Sequence, residues 1–290
     1  MRNCKPSLIA AGLILTSAIL AAANVNPVTL HVTVTDDLGR LVNGLSPDAL
    51  KIFEDKVPQK IISVTRDDAP LSIGIVFDTS ASMDNALEQS RMAVAGFFKT
   101  ADPEDETFLI EFSDRPKVVT PMTRDFKEIE NSLMNAEPAG RTALLDGIYL
   151  ALDTLKTAHN SRKALLVISD GRDNSSLYKA TEVANLIKEA GVPVYTIGVM
   201  APGEIGGAAL LSYLSEPTGG RSFIAPNRGE LRDIAAKIGI ELRSQYVVAY
   251  SPTNPVHDGK YRKIEVRVVP EQGLHGLHAY SRSGYFPPTQ

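Results

Sequence analysis

Hydrophobic and polar positions along the chain change texture twice. Val28, Leu30, Val32 and Val34 alternate with Thr29, His31, Thr33 and Thr35, the period-two pattern of a half-buried strand. Asp36-Asp37-Leu38-Gly39 then turns the chain, and residues 50–53 and 60–64 read as further short strands joined by a hairpin at 54–58. From Leu71 onward, near-continuous apolar strands alternate with helical patterns. The strands are predicted over 71–77, 107–112, 117–121, 164–168, 192–199 and 221–225, and the helices over 85–98, 126–134, 143–156, 180–190 and 228–242. After 242 the chain returns to β texture: Tyr246, Val248 and Tyr250 alternate, then Ile264, Val266 and Val268 against Lys263, Glu265 and Arg267, with a further strand predicted within 279–286.

Strand–helix alternation with apolar strands predicts an α/β fold whose doubly wound, mostly parallel sheet is covered on both faces. The short polar turn between Phe112 and Lys117 suits a hairpin, so one antiparallel edge strand is expected there. Neither flanking β stretch has enough strands to bury a face by itself. Residues 24–69 and 243–290 are therefore expected to pair into one small β-sandwich, with the α/β domain of residues 70–242 inserted between them.

Composition adds a compartment to this picture. The chain has 290 residues, and 43% hydrophobic content supports a sizeable core. Arg2 and Lys5 precede an uncharged run that ends in Ala21-Ala22-Ala23, the order of a secretory signal over residues 1–23. The alternative is an uncleaved membrane anchor, since the run approaches the length that spans ~30 Å of hydrocarbon. Cleavage removes the one cysteine, Cys4, so the mature chain forms no disulfide; it also leaves the chain more acidic than the formal net charge of −4. A secreted or periplasmic protein follows, with no nucleic-acid partner and no membrane insertion after cleavage.

Candidate chemistry sits at three separated fragments. Asp78-Thr79-Ser80-Ala81-Ser82 follows the first buried strand, Gly140-Arg141-Thr142 lies in a loop, and Ser169-Asp170-Gly171 follows another buried strand. Ligands of open α/β sheets bind where strands end in this way. Two carboxylates and three hydroxyls form a hard oxygen set suited to a divalent cation such as Mg²⁺. Asp78, Ser80 and Ser82 leave the strand on one loop, whereas Thr142 and Asp170 must arrive through folding. The alternative is that Ser80 and Ser82 merely cap the next helix and Asp170 merely starts a turn.

The pattern Asp-x-Ser-x-Ser, then Thr, then Asp resembles the metal-ion-dependent adhesion site of von Willebrand factor type A domains, over roughly residues 70–241. The resemblance implies a Rossmann-like sheet with one antiparallel edge strand. It also implies that Asp78, Ser80, Ser82, Thr142 and Asp170 hold Mg²⁺, or Mn²⁺ or Ca²⁺, directly or through water. The partner it implies is a protein presenting an Asp or Glu carboxylate to the metal. Outside that site, Val32-x-Val34-x-Asp36, Phe53-Glu54-Asp55, Tyr250-Ser251-Pro252, residues 259–264 and Gly284-Tyr285 are similar to a group of exported type A-related proteins named after Acidobacteria, which brings no defined biochemistry.

Asp173 and Asn174 read as an exposed turn and Arg141 as a solvated loop arginine. Enzyme signatures are sparse. His275 and His278 lack an accompanying Glu or Cys for zinc, Asp78-x-Ser80 lacks the second Asp of an aspartyl-phosphate phosphatase, and Gly-x-Ser-x-Gly is absent. The reading is a non-enzymatic adhesion module. The alternatives are a metal-dependent hydrolase, or a structural protein whose metal only stabilises the fold.

Overall fold

All eight residues of the strand Leu71–Asp78 are buried, so it must be covered from both sides. The computed structural model describes residues 26–66, 68–200, 206–225, 227–256, 258–270 and 275–289. The expected signal segment, 1–23, lies outside the described residues. In chain order the elements are β1 (Val28–Thr35), β2 (Leu50–Glu54), β3 (Val57–Arg66), β4 (Leu71–Asp78), α1 (Leu87–Phe98), β5 (Glu106–Phe112), β6 (Pro116–Thr123), α2 (Phe126–Met134), α3 (Leu144–Thr154), β7 (Arg162–Ser169), α4 (Ala180–Ala190), β8 (Val194–Gly198), α5 (Gly206–Ser215), β9 (Ser222–Ile224), α6 (Leu231–Arg243), β10 (Tyr246–Ser251), β11 (Arg262–Val268), β12 (His278–Tyr280) and β13 (Gly284–Tyr285).

The central sheet has the order β6-β5-β4-β7-β8-β9. Its strands are parallel except for β6, which pairs antiparallel with β5 as the Phe112–Lys117 hairpin predicts. Alternation within β4 distributes cover: Ile73, Ile75 and Phe77 face α1, α2 and α6, while Val76 faces α3, α4 and α5. Burying a side chain such as Phe77 contributes about 1.5–3 kcal/mol, and two such layers account for the stability of a sheet without disulfides. Helix α5 is not among the predicted helices because Gly206-Gly207 opens it; its signal is the spacing of Leu211 and Leu214, which bury together. Among the described residues no helix is long and apolar enough to cross a membrane.

The flanks, expected from sequence to form a β-sandwich, build one curled antiparallel sheet of order β12-β1-β10-β3-β2-β11-β13. Leading and trailing strands interleave: β1 pairs with β10 and β12, β3 with β10, and β2 with β11. Although β11 and β12 lie far apart in the order, they approach one another, which shows the curl. Leu30, Val32, Leu50, Ile52, Val248 and Tyr250 fill the interior. A buried Glu54 carboxylate joins both flanks, accepting bonds from the Tyr250 hydroxyl at 2.6 Å, the Tyr285 hydroxyl at 3.1 Å and Arg262 Nη1 at 3.2 Å.

Where the chain enters and leaves the α/β part, two buried side chains clamp both crossings. Asp105 accepts from the Leu71 amide and from Arg243, and Arg162 donates to the carbonyls of Ala69 and Leu242. The two entry points are thereby held side by side, as an insertion requires.

Candidate metal centre

Strand order reverses direction between β4 and β7: the chain runs outward from β4 to β5 and β6, then crosses back to β7, β8 and β9. This is the topological switch point of the sheet, where a crevice opens beyond the carboxyl ends of the strands. Asp78 ends β4 and Asp170 follows β7, so the two carboxylates flank that crevice. Both are buried, with Asp78 at 0% exposure.

Asp78 is held at each oxygen. Oδ1 accepts from the Ser80 amide at 2.8 Å, and Oδ2 accepts from the Ser169 hydroxyl of the neighbouring strand at 2.6 Å. No Lys or Arg among the described residues forms an ion pair with it. Burial pushes its carboxyl up to about 6, against the hydrogen bonds from Ser169 and Ser80, and the negative charge of Asp170 adds to the rise. The centre therefore concentrates negative charge at a point withdrawn from bulk solvent.

Two of the hydroxyls lie beside this carboxylate. Ser80 is buried and its Oγ lies 3.1 Å from Ser82 Oγ, which is exposed. Ser80 precedes the 3₁₀ turn Ala81–Met83, yet its side chain makes no cap hydrogen bond, and α1 begins later, after Ala86. The capping role that competes for these serines is not what their side chains do. Asp170, by contrast, does start a turn: its Oδ1 accepts from the Arg172 amide at 3.0 Å, with Arg172 Nε at 3.6 Å from Oδ2. The turn leans on α5 so closely that a Cβ on Gly171, at φ +76°, would sit 2.4 Å from the Gly207 carbonyl oxygen.

Thr142 reaches the site on a loop whose shape has no local sequence signature. Its amide donates to Asn174 Oδ1 at 2.9 Å, and its carbonyl accepts from the amides of Asn174 and Ser175. Asp173 accepts from the Leu145 amide at 2.9 Å, and Asp146 accepts from the Leu177 and Tyr178 amides. On the other side, Asp114 accepts from the Arg141 amide at 3.0 Å and pairs with its side chain at 3.4 Å, while Arg141 stays exposed, as expected of a solvated loop arginine. Asp173 and Asn174, expected as an exposed turn, brace the Thr142 loop. Ser169 is likewise missing from the sequence-predicted set; its signal is its place between a buried strand and Asp170. The Ala81 amide donates to the Gly140 carbonyl and the Ala139 amide to the Thr79 carbonyl, which joins the first and second fragments.

Could this donor set take a divalent cation? Among the described residues no three His, Cys, Asp or Glu side chains gather, so a soft-metal site is not formed. Two carboxylates with neutral hydroxyls fit a hard cation that keeps part of its water. Asp78 is buried and, among the described residues, has no cationic partner, so it is the group where such an ion would fit.

Comparison with known proteins agrees with the topology. The von Willebrand factor type A domain model matches residues 72–237. An uncharacterized protein of Borreliella burgdorferi is 30% identical over 141 residues, 45% of this chain and 41% of that protein, so the match spans about two fifths of that relative's length. Among solved structures, an aerotolerance-related membrane protein from Bacteroides fragilis superposes with a TM-score of 0.51 at 19% identity, over 59% of this chain and 99% of that one. A von Willebrand factor type A protein from Catenulispora acidiphila gives 0.54 at 12% identity, over 90% and 75%. At such identities the likeness shows the fold alone. With the family model covering more than half of the sequence, on the sheet and helices that carry the switch point, this chain belongs to the von Willebrand factor type A domain family.

Proposed function

We propose that Asp78, Ser80, Ser82, Thr142 and Asp170 hold a divalent cation, Mg²⁺ or in its place Mn²⁺ or Ca²⁺, and that the protein binds a partner through it. The observation that carries this reading is the buried Asp78 carboxylate, across the switch point from Asp170 and with no basic partner among the described residues. When bound, the cation supplies an electrophilic position that an Asp or Glu of a partner protein completes. The chain's own residues do the rest: Ser169 and the Ser80 amide orient Asp78, and Asn174 sets the Thr142 loop. Type A domains serve generally in protein interaction and adhesion, which supports a binding module over an enzyme. The basic, apolar and small-residue order of residues 1–23 supports a secreted or periplasmic location.

The test is calorimetric titration of Mg²⁺ into wild type and Asp78→Asn. Saturable binding by wild type alone is expected, and equal binding by both overturns the reading. An immobilised peptide bearing one Asp is then expected to retain the wild-type protein only while Mg²⁺ is present. N-terminal sequencing of the protein from culture medium or periplasm is expected to begin near Asn24.

A further inference from the structure

The curled sheet contains a split that lies apart from the candidate metal centre. Strands β2 and β3 leave their hairpin paired at Glu54 with Val57, Phe53 with Pro58 and Ile52 with Gln59, and there the pairing stops. Beyond it β2 continues against β11 through Lys51 and Leu50, while β3 turns to β10 and pairs with it from Lys60 to Arg66. Among the described residues, β3 has a ladder on one side only over residues 60–66, and it makes no other backbone hydrogen bond there. The opposing side of β2 at Leu50 and Lys51 likewise has no strand among the described residues. Between the two edges lies a cleft of about 390 Å³, lined among others by Pro47, Leu50, Lys51, Lys60, Ile62 and Ser63.

An open edge of this kind presents alternate N–H and C=O groups that only an extended backbone can match. Two features restrict what enters. The register of β3 against β10 shifts between Ala249 and Tyr250, which leaves Ile62 as a bulge, 56% exposed at the mouth of the cleft. Lys51 and Lys60 line the cleft and are exposed on the same face, against Asp48 as the one acid among the described lining residues.

We propose that the edge of β3 over residues 60–66 is a docking site for an extended, acidic segment of a partner protein, which adds as a strand in the split between β3 and β2. Affinity comes from the backbone ladder, and selectivity from Lys51 and Lys60, which share the outer face of the sheet and meet Asp or Glu side chains there.

The test uses the full chain and three fluorescent peptides of about six residues, the usual strand length: alternating Glu-Val, alternating Lys-Val, and Glu-Val N-methylated at every residue. Polarisation is expected to show saturable binding of Glu-Val at least ~10-fold tighter than either other peptide, a difference of ~1.4 kcal/mol. Hydrogen exchange is expected to slow at residues 60–66 on binding. The surface pair Lys51→Glu with Lys60→Glu is expected to exchange the preference in favour of Lys-Val. Absence of saturable Glu-Val binding, equal binding of the N-methylated peptide, or protection confined to residues outside 50–51 and 60–66 overturns the proposal.

Discussion

Two buried carboxylates at opposite ends of the same sheet behave in opposite ways. Asp78 closes β4 at the carboxyl edge, and burial lifts its carboxyl to about 6. Glu106 opens β5 at the amino edge and is also buried. There too burial favours the neutral form, but it is outweighed by bonds from the Ser72 hydroxyl at 2.5 Å, the His159 ring and amide at 2.9 and 2.6 Å, and the Asn160 amide at 3.3 Å, which hold Glu106 at about 2. Burial alone therefore says nothing about the role of a carboxylate. The number of donors aimed at it decides whether the charged form is held, as at Glu106, or disfavoured, as at Asp78.

The largest effect should come from dismantling the finished end. Glu106→Ala removes the acceptor for four hydrogen bonds, and urea unfolding is expected to show a loss of about 4 kcal/mol. Because its folded pKa is depressed, Glu106 contributes stability above its ordinary 4.5 that disappears as pH falls toward about 2.

At the other end the sign reverses. The raised pKa of Asp78 means that metal-free wild type loses stability as pH climbs from 3.8 through about 6. Asp78→Asn, which keeps the shape and removes the charge, is expected to stabilise the metal-free protein at pH 7 by about 3 kcal/mol, since each tenfold change in proton affinity on folding is worth ~1.4 kcal/mol. It should also flatten the pH dependence over that interval. A destabilised Asp78→Asn in chelator, measured by the same unfolding curve, would erase the contrast between the two ends.

A comparable stabilisation is expected from the ion itself. Mg²⁺ at ~100-fold excess over its Kd should raise wild-type stability by about 2.7 kcal/mol, and that of Asp78→Asn or Asp170→Ala by nothing. Glu106→Ala should keep the Mg²⁺ increment although its baseline is lower, which melting curves with and without Mg²⁺ separate. The smallest change is expected from Asn174→Ala, about 1 kcal/mol for the lost Thr142 contact, together with weaker Mg²⁺ binding read by calorimetry.

Much of this is legible in residue order. Period-two alternation marks β1, β10 and β11, and unbroken apolar runs mark β4 and β7 as strands covered on both faces. Helices α2 and α4 occupy the predicted residues, and the β5–β6 hairpin supplies the expected antiparallel edge. Asp78, Ser80 and Ser82 share a loop by spacing alone. Such features depend on neighbours a few positions apart, so the local chain carries them.

What the chain order does not carry depends on distance in space. Ser169 donates to Asp78 across 91 positions of sequence, and Asn174 accepts from Thr142 across 32. The curled sheet, in place of a sandwich, and the split between β2 and β3 arise because each strand chooses partners from the far flank. Above all, that the carboxyl of Asp78 is pushed up while that of Glu106 is held down is a matter of desolvation against donor count. Both quantities are set by what folding brings within a few ångströms, and neither residue's neighbours in sequence determine them.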